Sequence, residues 1–183
     1  MPYAYRLLKY LAGRRIPVEL VISDPAWDVI RQELPAEAQE IEDREKWVRR
    51  HFGSTTRLWA NTNWSSPIAS GSAPSAGMVI IPCSMGTLGR IAAGISSSLL
   101  ERGADVCLKE GRRLVLVTRE TPLNLIHLEN MARLVKAGAT VLPAAPAFYH
   151  NPQSISDLVD FIVGRVLYQL GIENDLVKSW GSK

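Results

Sequence analysis

Short runs of consecutive apolar residues alternate along the chain with longer segments in which apolar residues recur every three or four positions. The runs lie at 17–23, 77–84, 113–120 and 139–143, and near-continuous apolar runs of this length are typical of strands buried on both faces. The helical segments lie at 3–12, 25–33, 88–102 and 123–137. This order predicts an α/β fold in which helices cover both faces of a parallel sheet.

The last predicted helix has the clearest periodicity, with an apolar stripe that runs from Ile155 to Leu170. Ser154 followed by Asp157 is similar to a capping box and predicts the start of this helix. Arg165 lies about 110° from the centre of the stripe at ~100° per residue, which places it at the edge of the buried face. It can reach a cleft from that position, and an ordinary surface arginine is the alternative.

Length and composition fit one domain over 1–183 with its own core and a tail from about 172, since 46% of the 183 residues are apolar and 21% are charged. No stretch approaches the ~18 consecutive apolar residues of a membrane span, and the start is not ordered like a secretory signal. We therefore expect a cytosolic protein without a membrane partner. Cys83 and Cys107 lie in predicted strand regions, which favours reduced thiols over a disulfide or a zinc site.

The charge pattern argues against nucleic-acid binding. A net charge of +3 and a pI of about 9.0 would suit a phosphate backbone. However, acidic and basic residues are mixed throughout 33–50, which predicts a solvated helix with i,i+4 pairs. No stripe of Lys and Arg is interleaved with aromatic residues.

The segment 60–77, rich in Ser, Asn, Pro and Gly, predicts a functional loop.

Three loops at the ends of predicted strands carry polar chemistry. The first, 82–88, runs from a strand into a helix through Ser84, Gly86 and Thr87, and free N–H groups and hydroxyls there suit a phosphate, a ribityl chain or a ring carbonyl. Ordinary helix capping is the alternative. The second loop set, 109–110 and 119–122, places charges at a strand end, with a surface salt bridge as the alternative. The third, 143–154, is rich in proline and presents Tyr149.

Together these loops offer hydroxyls, cations, a phenol and carboxylates. This set suits a phosphorylated ligand and acid–base chemistry. The spacing of His, Cys and carboxylate residues predicts no metal site, and His127 and His150 do not fit a Ser-His-Asp arrangement. The charged and phenolic candidates are Lys109, Arg119, Arg165, Tyr149, Glu33 and Glu120.

Five stretches, in chain order, resemble the flavin prenyltransferases of the UbiX type. They are PIASGS at 67–72, MVIIPCSMGTL at 78–88, ADVCLKEGRRLVLVTRETPL at 104–123, PAFYHNPQS at 146–154 and the final helix with Arg165. The resemblance extends over 3–180. It implies a flavodoxin-like, doubly wound fold and a homo-oligomer, a dodecamer. It also implies transfer of a dimethylallyl group from dimethylallyl phosphate to reduced FMN, giving the prenylated FMN that a UbiD-type decarboxylase uses, for example in ubiquinone biosynthesis.

The resemblance also implies roles for single residues. Lys109 and Tyr149 match residues that act in catalysis and, with Arg165, hold the prenyl phosphate, and the three are therefore expected to converge beside the flavin. Glu33 and Glu120 match the acid and base carboxylates, without an assignment of which is which. The positions that match FMN-binding residues are Ser23, Ser84, Met85, Gly86, Thr87 and Arg119. Further substrate-binding candidates are Arg102, Gly71, Trp64 and Trp180, the two tryptophans near the prenyl tail.

The implied reaction fits these residue types. Ionisation of an allylic phosphate develops a carbocation and an anionic leaving group, so cations must hold the phosphate while a π-face supports the carbocation. Proton donation to the monophosphate takes the place of a metal ion. A carboxylate then removes the proton from the flavin ring carbon at which the second bond forms.

One feature of the resemblance lies ahead of the chain, and two alternatives stay open. The family begins with a strand and a Gly-Ala-Ser-Gly-like turn, and this sequence starts just after that turn, so we expect the first strand to be absent from it. An FMN-dependent cysteine decarboxylase shares the fold, but its Pro-Ala-Ser-Ala-Asn-Thr-like loop differs from the PIASGS of 67–72. A flavin-binding subunit without turnover is the other alternative.

Overall fold

The computed structural model describes residues 1–38 and 41–177, in which helices and parallel strands alternate. The helices are α1 Pro2–Gly13, α2 Asp24–Glu33, α3 Arg44–Phe52, α4 Met85–Ala92, α5 Leu99–Lys109, α6 Leu125–Lys136 and α7 Ile155–Leu170. The strands are β1 Val18–Val21, β2 Thr56–Trp59, β3 Gly77–Cys83, β4 Arg113–Thr118 and β5 Thr140–Pro143. A single 3₁₀ turn, Pro67–Ala69, interrupts the segment between β2 and β3.

The strands pair in two parallel groups. β1 pairs with β2, and β4 lies between β3 and β5. From Leu114 to Val117 every residue of β4 is at most 1% exposed, as expected for an apolar run covered on both faces. We call the side at which β3, β4 and β5 end the carboxyl edge of the sheet, and the side at which they begin the amino edge.

Helices cover both faces of the sheet. On one face, Leu114 and Leu116 of β4 pack with α4, α5 and α6. On the other, Val115 and Val117 pack with α1 and α7, because successive side chains of a strand point to opposite faces. The predicted doubly wound parallel fold is therefore confirmed. A third cluster joins α2 and α3 around Trp27, a residue that is 1% exposed.

A cavity of about 510 Å³ separates β1 from β3. Both strands line it along their length, with α1 over one side and α5 over the other, so the edges of the two strand groups face each other across an apolar space. The resemblance also predicts a strand formed by residues before position 1. The structure does not test that prediction.

Two predicted helices differ from the structure. The segment predicted as one helix over 88–102 forms α4 and α5, which are separated at 93–98 by a turn with Gly94 at φ +73°. Of the charged stretch 33–50, the part from Arg44 onward lies in a helix, α3, and that helix buries Trp47 and Val48. Charged residues outnumber apolar ones in this stretch, so the pattern alone favours a solvated helix. The short strand β2 was not predicted, because four residues give little periodicity.

Among the described residues, no helix is both long and apolar enough to cross a membrane. Both cysteines are free and buried. Cys83 ends β3 as predicted, whereas Cys107 lies in α5, so its placement in a strand region was wrong. Burial raises the pKa of Cys83 to about 12, and burial likewise raises the pKa of Cys107.

Candidate functional site

The turn from β3 into α4 presents an open helix N-terminus at the carboxyl edge. Ser84 is the N-cap: its Oγ accepts a hydrogen bond from the Thr87 backbone N–H (3.2 Å) and donates one to Thr87 Oγ1 (3.0 Å). The first turn of α4 contains no acidic residue. Since the positive end of the helix dipole and free N–H groups favour acceptor oxygens, this turn suits a phosphate or a ring carbonyl. We call Ser84–Thr87 the acceptor-binding turn.

Arg119 and Glu120 lie beside this turn. The parallel register pairs Cys83 with Thr118, so the residues that follow, Ser84 and Arg119, leave the sheet at the same edge. Arg119 and Glu120 are both exposed there. A guanidinium, a carboxylate and the acceptor-binding turn are thus brought together by two neighbouring strands.

Two further predicted residues belong to α2. Ser23 is the N-cap of this helix, and its side chain makes no capping hydrogen bond. It lines the cavity between β1 and β3. Glu33, at the other end of α2, forms an ion pair with the amino group of Met1 and is partly exposed. Glu33 therefore lies beside Met1, the N-cap of α1, and among the described residues no hydrogen bond links it to the acceptor-binding turn.

The loop after β5 places aromatic side chains against α7. Tyr149 is 61% exposed, and its ring meets the rings of His150 and Phe161 edge-on at 5.7 and 6.0 Å. His150 stacks on Phe161 at 5.3 Å. One helical turn beyond Phe161, Arg165 is exposed and lies 5.6 Å from the ring of Tyr168. The predicted capping box of Ser154 and Asp157 starts α7.

A second basic cluster lies at the amino edge. Lys109 ends α5 and forms an ion pair with Glu110. Arg102 lies two helical turns earlier in α5, outside this cluster, and its Nε donates to the Ala69 carbonyl oxygen at 3.2 Å. A Cβ at Gly71 would come within 2.7 Å of Lys109 Nζ and closer still to Glu110, so a larger residue there would require these two side chains to shift. Arg112 donates to the carbonyl of Gly71.

The two predicted tryptophans have different outcomes. Trp64 is 51% exposed, in a loop that Asn61 fastens to the start of α5 by accepting from Leu99 N (2.8 Å) and Leu100 N (3.1 Å). Trp64 thus belongs to the side of the molecule that carries α5. Trp180 lies outside the described residues.

A single chain does not bring Lys109 together with Tyr149 and Arg165. Lys109 precedes β4 and Tyr149 follows β5, so they lie at opposite edges of a sheet whose six-residue central strand spans about 20 Å. In addition, α5 and α7 cover opposite faces. The expectation that one chain converges these three side chains is therefore wrong. Lys109 and Arg119 flank one apolar run of the sequence, but Lys109 precedes β4 and Arg119 follows it.

Sequence reasoning missed two residues beside the acceptor-binding turn. Arg90 Nη2 donates to Thr87 Oγ1 at 3.3 Å, and Arg90 is in turn paired with the buried Glu101. The three-residue spacing from Thr87 to Arg90 on a helix places both on one face, and this spacing could have revealed the contact. Within the described part of the chain, no group of three or more His, Cys, Asp or Glu residues is placed to hold a metal ion.

Comparison with known proteins shows the family of this chain. The family model described as Flavoprotein matches residues 1–167. A protein named flavin prenyltransferase UbiX from Alkalihalophilus pseudofirmus is 50% identical over 98% of this chain and 90% of its own length. Its namesake from Pseudomonas aeruginosa is 45% identical over 99% of this chain and 88% of its own length.

Two solved structures share the fold over nearly the whole chain. AnUbiX (PadA1), solved in complex with FMN and dimethylallyl pyrophosphate, has a TM-score of 0.86 and 36% identity, covering 99% of this chain and 91% of its own. A dodecameric FMN-dependent UbiX-like decarboxylase from Escherichia coli O157:H7 has a TM-score of 0.86 and 39% identity, covering 99% and 93%. The chain therefore belongs to the Flavoprotein family, among the flavin prenyltransferases of the UbiX type.

Proposed function

We propose that this chain joins a dimethylallyl group from dimethylallyl phosphate to N5 and C6 of reduced FMN, as a single flavoprotein domain over 1–183. The observation that carries the proposal is the acceptor-binding turn with Arg119 beside it, in a chain 36% identical to a protein solved with FMN and dimethylallyl pyrophosphate. Met85 and Gly86 supply helix N-terminal N–H groups, and Gly86 adds no Cβ that would block a flat ring.

The residues of this turn and two residues outside it fit FMN. Thr87 and Ser84 offer hydroxyls. Ser23 offers a hydroxyl that makes no capping hydrogen bond, and Arg119 offers a positive charge. When bound, reduced FMN supplies the two nucleophilic ring atoms. Glu120, next to Arg119 at the edge of the turn, is suited to move a proton to or from the reacting groups. Glu33 is the other carboxylate that we propose for proton transfer.

The phosphate of the prenyl donor needs cations and a proton donor as the carbon–oxygen bond breaks. Tyr149 and Arg165 offer a phenol and a guanidinium on the outer side of α7. Lys109 and Gly71 form the amino-edge cluster, and Arg102 lies about 10 Å earlier along α5. Trp64 offers an exposed π-face that suits an allylic cation, and Trp180 stays a candidate for the same role.

We propose that the substrate site is completed between copies of the chain. The amino-edge cluster of one copy would then meet the loop that carries Tyr149 in another copy. Two observations support this: the two groups lie at opposite edges of one subunit, and a relative 39% identical is described as dodecameric.

Subunit mixing tests this arrangement. Lys109→Met and Tyr149→Phe each remove one of the two side chains from every site of a homo-oligomer, so each homo-oligomer is expected to be nearly inactive. Mixed oligomers, formed by co-expression with two different tags, would contain some sites with neither change and regain part of the activity. If the mixed oligomers stay as inactive as the separate variants, the proposal that two copies complete each site is wrong.

The central experiment uses the full chain under anaerobic conditions with reduced FMN and dimethylallyl phosphate. The extracted flavin is expected to gain the mass of one C5 unit, at a rate that EDTA does not change because proton donation takes the place of a metal ion. Unchanged FMN that stays tightly bound would contradict the transferase and favour a flavin-binding subunit. The same assay with dimethylallyl diphosphate in place of dimethylallyl phosphate shows which prenyl donor is preferred.

We further propose that the product is passed to a UbiD-type decarboxylase in the cytosol, in a pathway such as ubiquinone biosynthesis. A decarboxylase of that type, purified without cofactor, should gain activity when it is incubated with the reaction mixture. It should gain none with FMN alone. A lack of activation by a confirmed C5 adduct would contradict this assignment of the recipient.

A further inference from the structure

Glu101 is a buried carboxylate that the proposed reaction does not use. It lies in the first turn of α5 and is 2% exposed. One carboxylate oxygen accepts from Arg90 Nε, and the other accepts from the backbone N–H of Ser97 (2.9 Å) and from its hydroxyl (2.6 Å). Burial alone would raise the pKa of Glu101, but the hydrogen bonds from Ser97 and Arg90 lower it below its ordinary value. The side chain is therefore ionised at neutral pH.

Arg90 connects this carboxylate to the acceptor-binding turn. While Nε is held by Glu101, Nη2 donates to Thr87 Oγ1 at 3.3 Å. Nη1 lies over Gly86, 3.5 Å from where a Cβ would be. The Arg90 side chain is 47% exposed, and a half-exposed arginine without a partner samples many rotamers. The buried Glu101 fixes the guanidinium in one place.

This placement determines which way the Thr87 hydroxyl donates. A hydroxyl has one proton and two acceptor lone pairs. Thr87 Oγ1 accepts from Arg90 Nη2 and from Ser84 Oγ (3.0 Å), which occupies both lone pairs. Its own proton is then left for an acceptor outside the turn. Without Arg90, the hydroxyl and Ser84 could exchange donor and acceptor roles.

We infer that Glu101 and Arg90 are positioning residues that fix Thr87 as a hydrogen-bond donor to an acceptor oxygen of bound FMN. The inference rests on the proposed function, because it requires FMN at the acceptor-binding turn. It adds a role for an ion pair with a buried carboxylate, which otherwise links α4 to α5.

The double substitution Arg90→Met with Glu101→Met separates positioning from stability. Replacing both partners leaves no unpaired charge at the buried position of Glu101, so the melting temperature of the double variant should stay close to that of the unaltered chain. The dissociation constant for FMN, measured by flavin fluorescence quenching, should rise about tenfold. This corresponds to about 1.4 kcal/mol, the size expected for losing one oriented hydrogen bond from Thr87 to FMN. Asp28→Asn, which breaks an exposed ion pair with Arg31, is the matched control and should leave the dissociation constant unchanged.

A cycle with Thr87→Val tests whether the pair acts through this hydroxyl. Thr87→Val should weaken FMN binding in the unaltered chain and add little in the double variant, whereas Thr87→Ser should retain binding. Arg90→Lys provides a milder variant if the double variant does not fold, and it should also weaken binding because an ammonium cannot span both partners.

The outcomes distinguish the inference from the function beneath it. If the unaltered chain binds FMN tightly and both Arg90→Lys and the double variant bind it equally well, the positioning role is overturned and the proposed function stands. Full additivity of Thr87→Val with the double substitution overturns the route through Thr87. If the unaltered chain does not bind FMN, the proposed function falls and the inference falls with it.

Discussion

Replacing His150 by Phe should stabilise the protein. The two ring nitrogens of His150 are buried and have no hydrogen-bond partner among the described residues. The ring lies parallel to Phe161, at 5.3 Å and an interplanar angle of 4°, and it meets Tyr149 edge-on. A phenyl ring is also flat and only somewhat larger, so it can keep these ring contacts without burying polar atoms.

The magnitude follows from the two nitrogens. A buried donor or acceptor without a partner costs about 1–3 kcal/mol, and part of this gain is offset because a larger ring must fit into a packed site. We expect a net gain of about 1–2 kcal/mol in the free energy of unfolding. For a chain of this length, that gain corresponds to a melting temperature about 2–8 °C higher.

Thermal unfolding and urea titration of His150→Phe and His150→Gln provide the test. Gln keeps polar atoms in the same place, so it should not stabilise the protein. A melting temperature of His150→Phe equal to or below that of the unaltered chain would refute the reasoning, because the imidazole would then gain more from its surroundings than it loses. The same variant should be assayed for prenyl transfer, since groups left unpaired in a binding loop are often retained for function.

Three further predictions concern the site and its supports. Glu120→Gln and Tyr149→Phe should leave FMN bound but slow product formation in quenched-flow assays, and normal turnover of both would contradict their assigned roles. Ser154→Ala removes the side-chain cap of α7 and should lower the free energy of unfolding by about 1 kcal/mol in urea titrations; an unchanged midpoint would argue against the cap. Because hydrogen bonds keep the folded-state pKa of Glu101 below its ordinary value, its stabilisation is complete above about pH 4.5 and declines as the pH falls through the folded pKa. The stability difference between Glu101→Gln and the unaltered chain should therefore shrink below that pH, and a constant difference would contradict it.

Much of the fold could be predicted from local patterns. The run that became β4 and the stripe that became α7 are long and strongly periodic, and the Ser154 cap marks where α7 begins. The break between α4 and α5 was missed because it depends on Gly94 in a left-handed conformation and on the packing of two helices side by side. Both halves have helical periodicity, so the pattern alone favours one continuous helix.

The acceptor-binding turn was predicted because its residues are adjacent in the sequence. The position of Lys109 was not, because which edge of the sheet a residue occupies depends on strand direction as well as on closeness to an apolar run. Arg90 and Glu101 were missed for a related reason: their contact requires the turn at 93–98 to fold α5 back along α4. Such a contact has no local sequence pattern.

The burial of Cys83 has a practical and a chemical consequence. With a pKa of about 12, on the order of 10⁻⁵ of this thiol is thiolate at neutral pH. A nucleophile this weak, one residue from the acceptor-binding turn, does not compete for an allylic electrophile, so self-alkylation is suppressed. Maleimide dyes should therefore not react with either native cysteine in the folded protein. A cysteine introduced on the surface can then be labelled without first replacing Cys83 and Cys107.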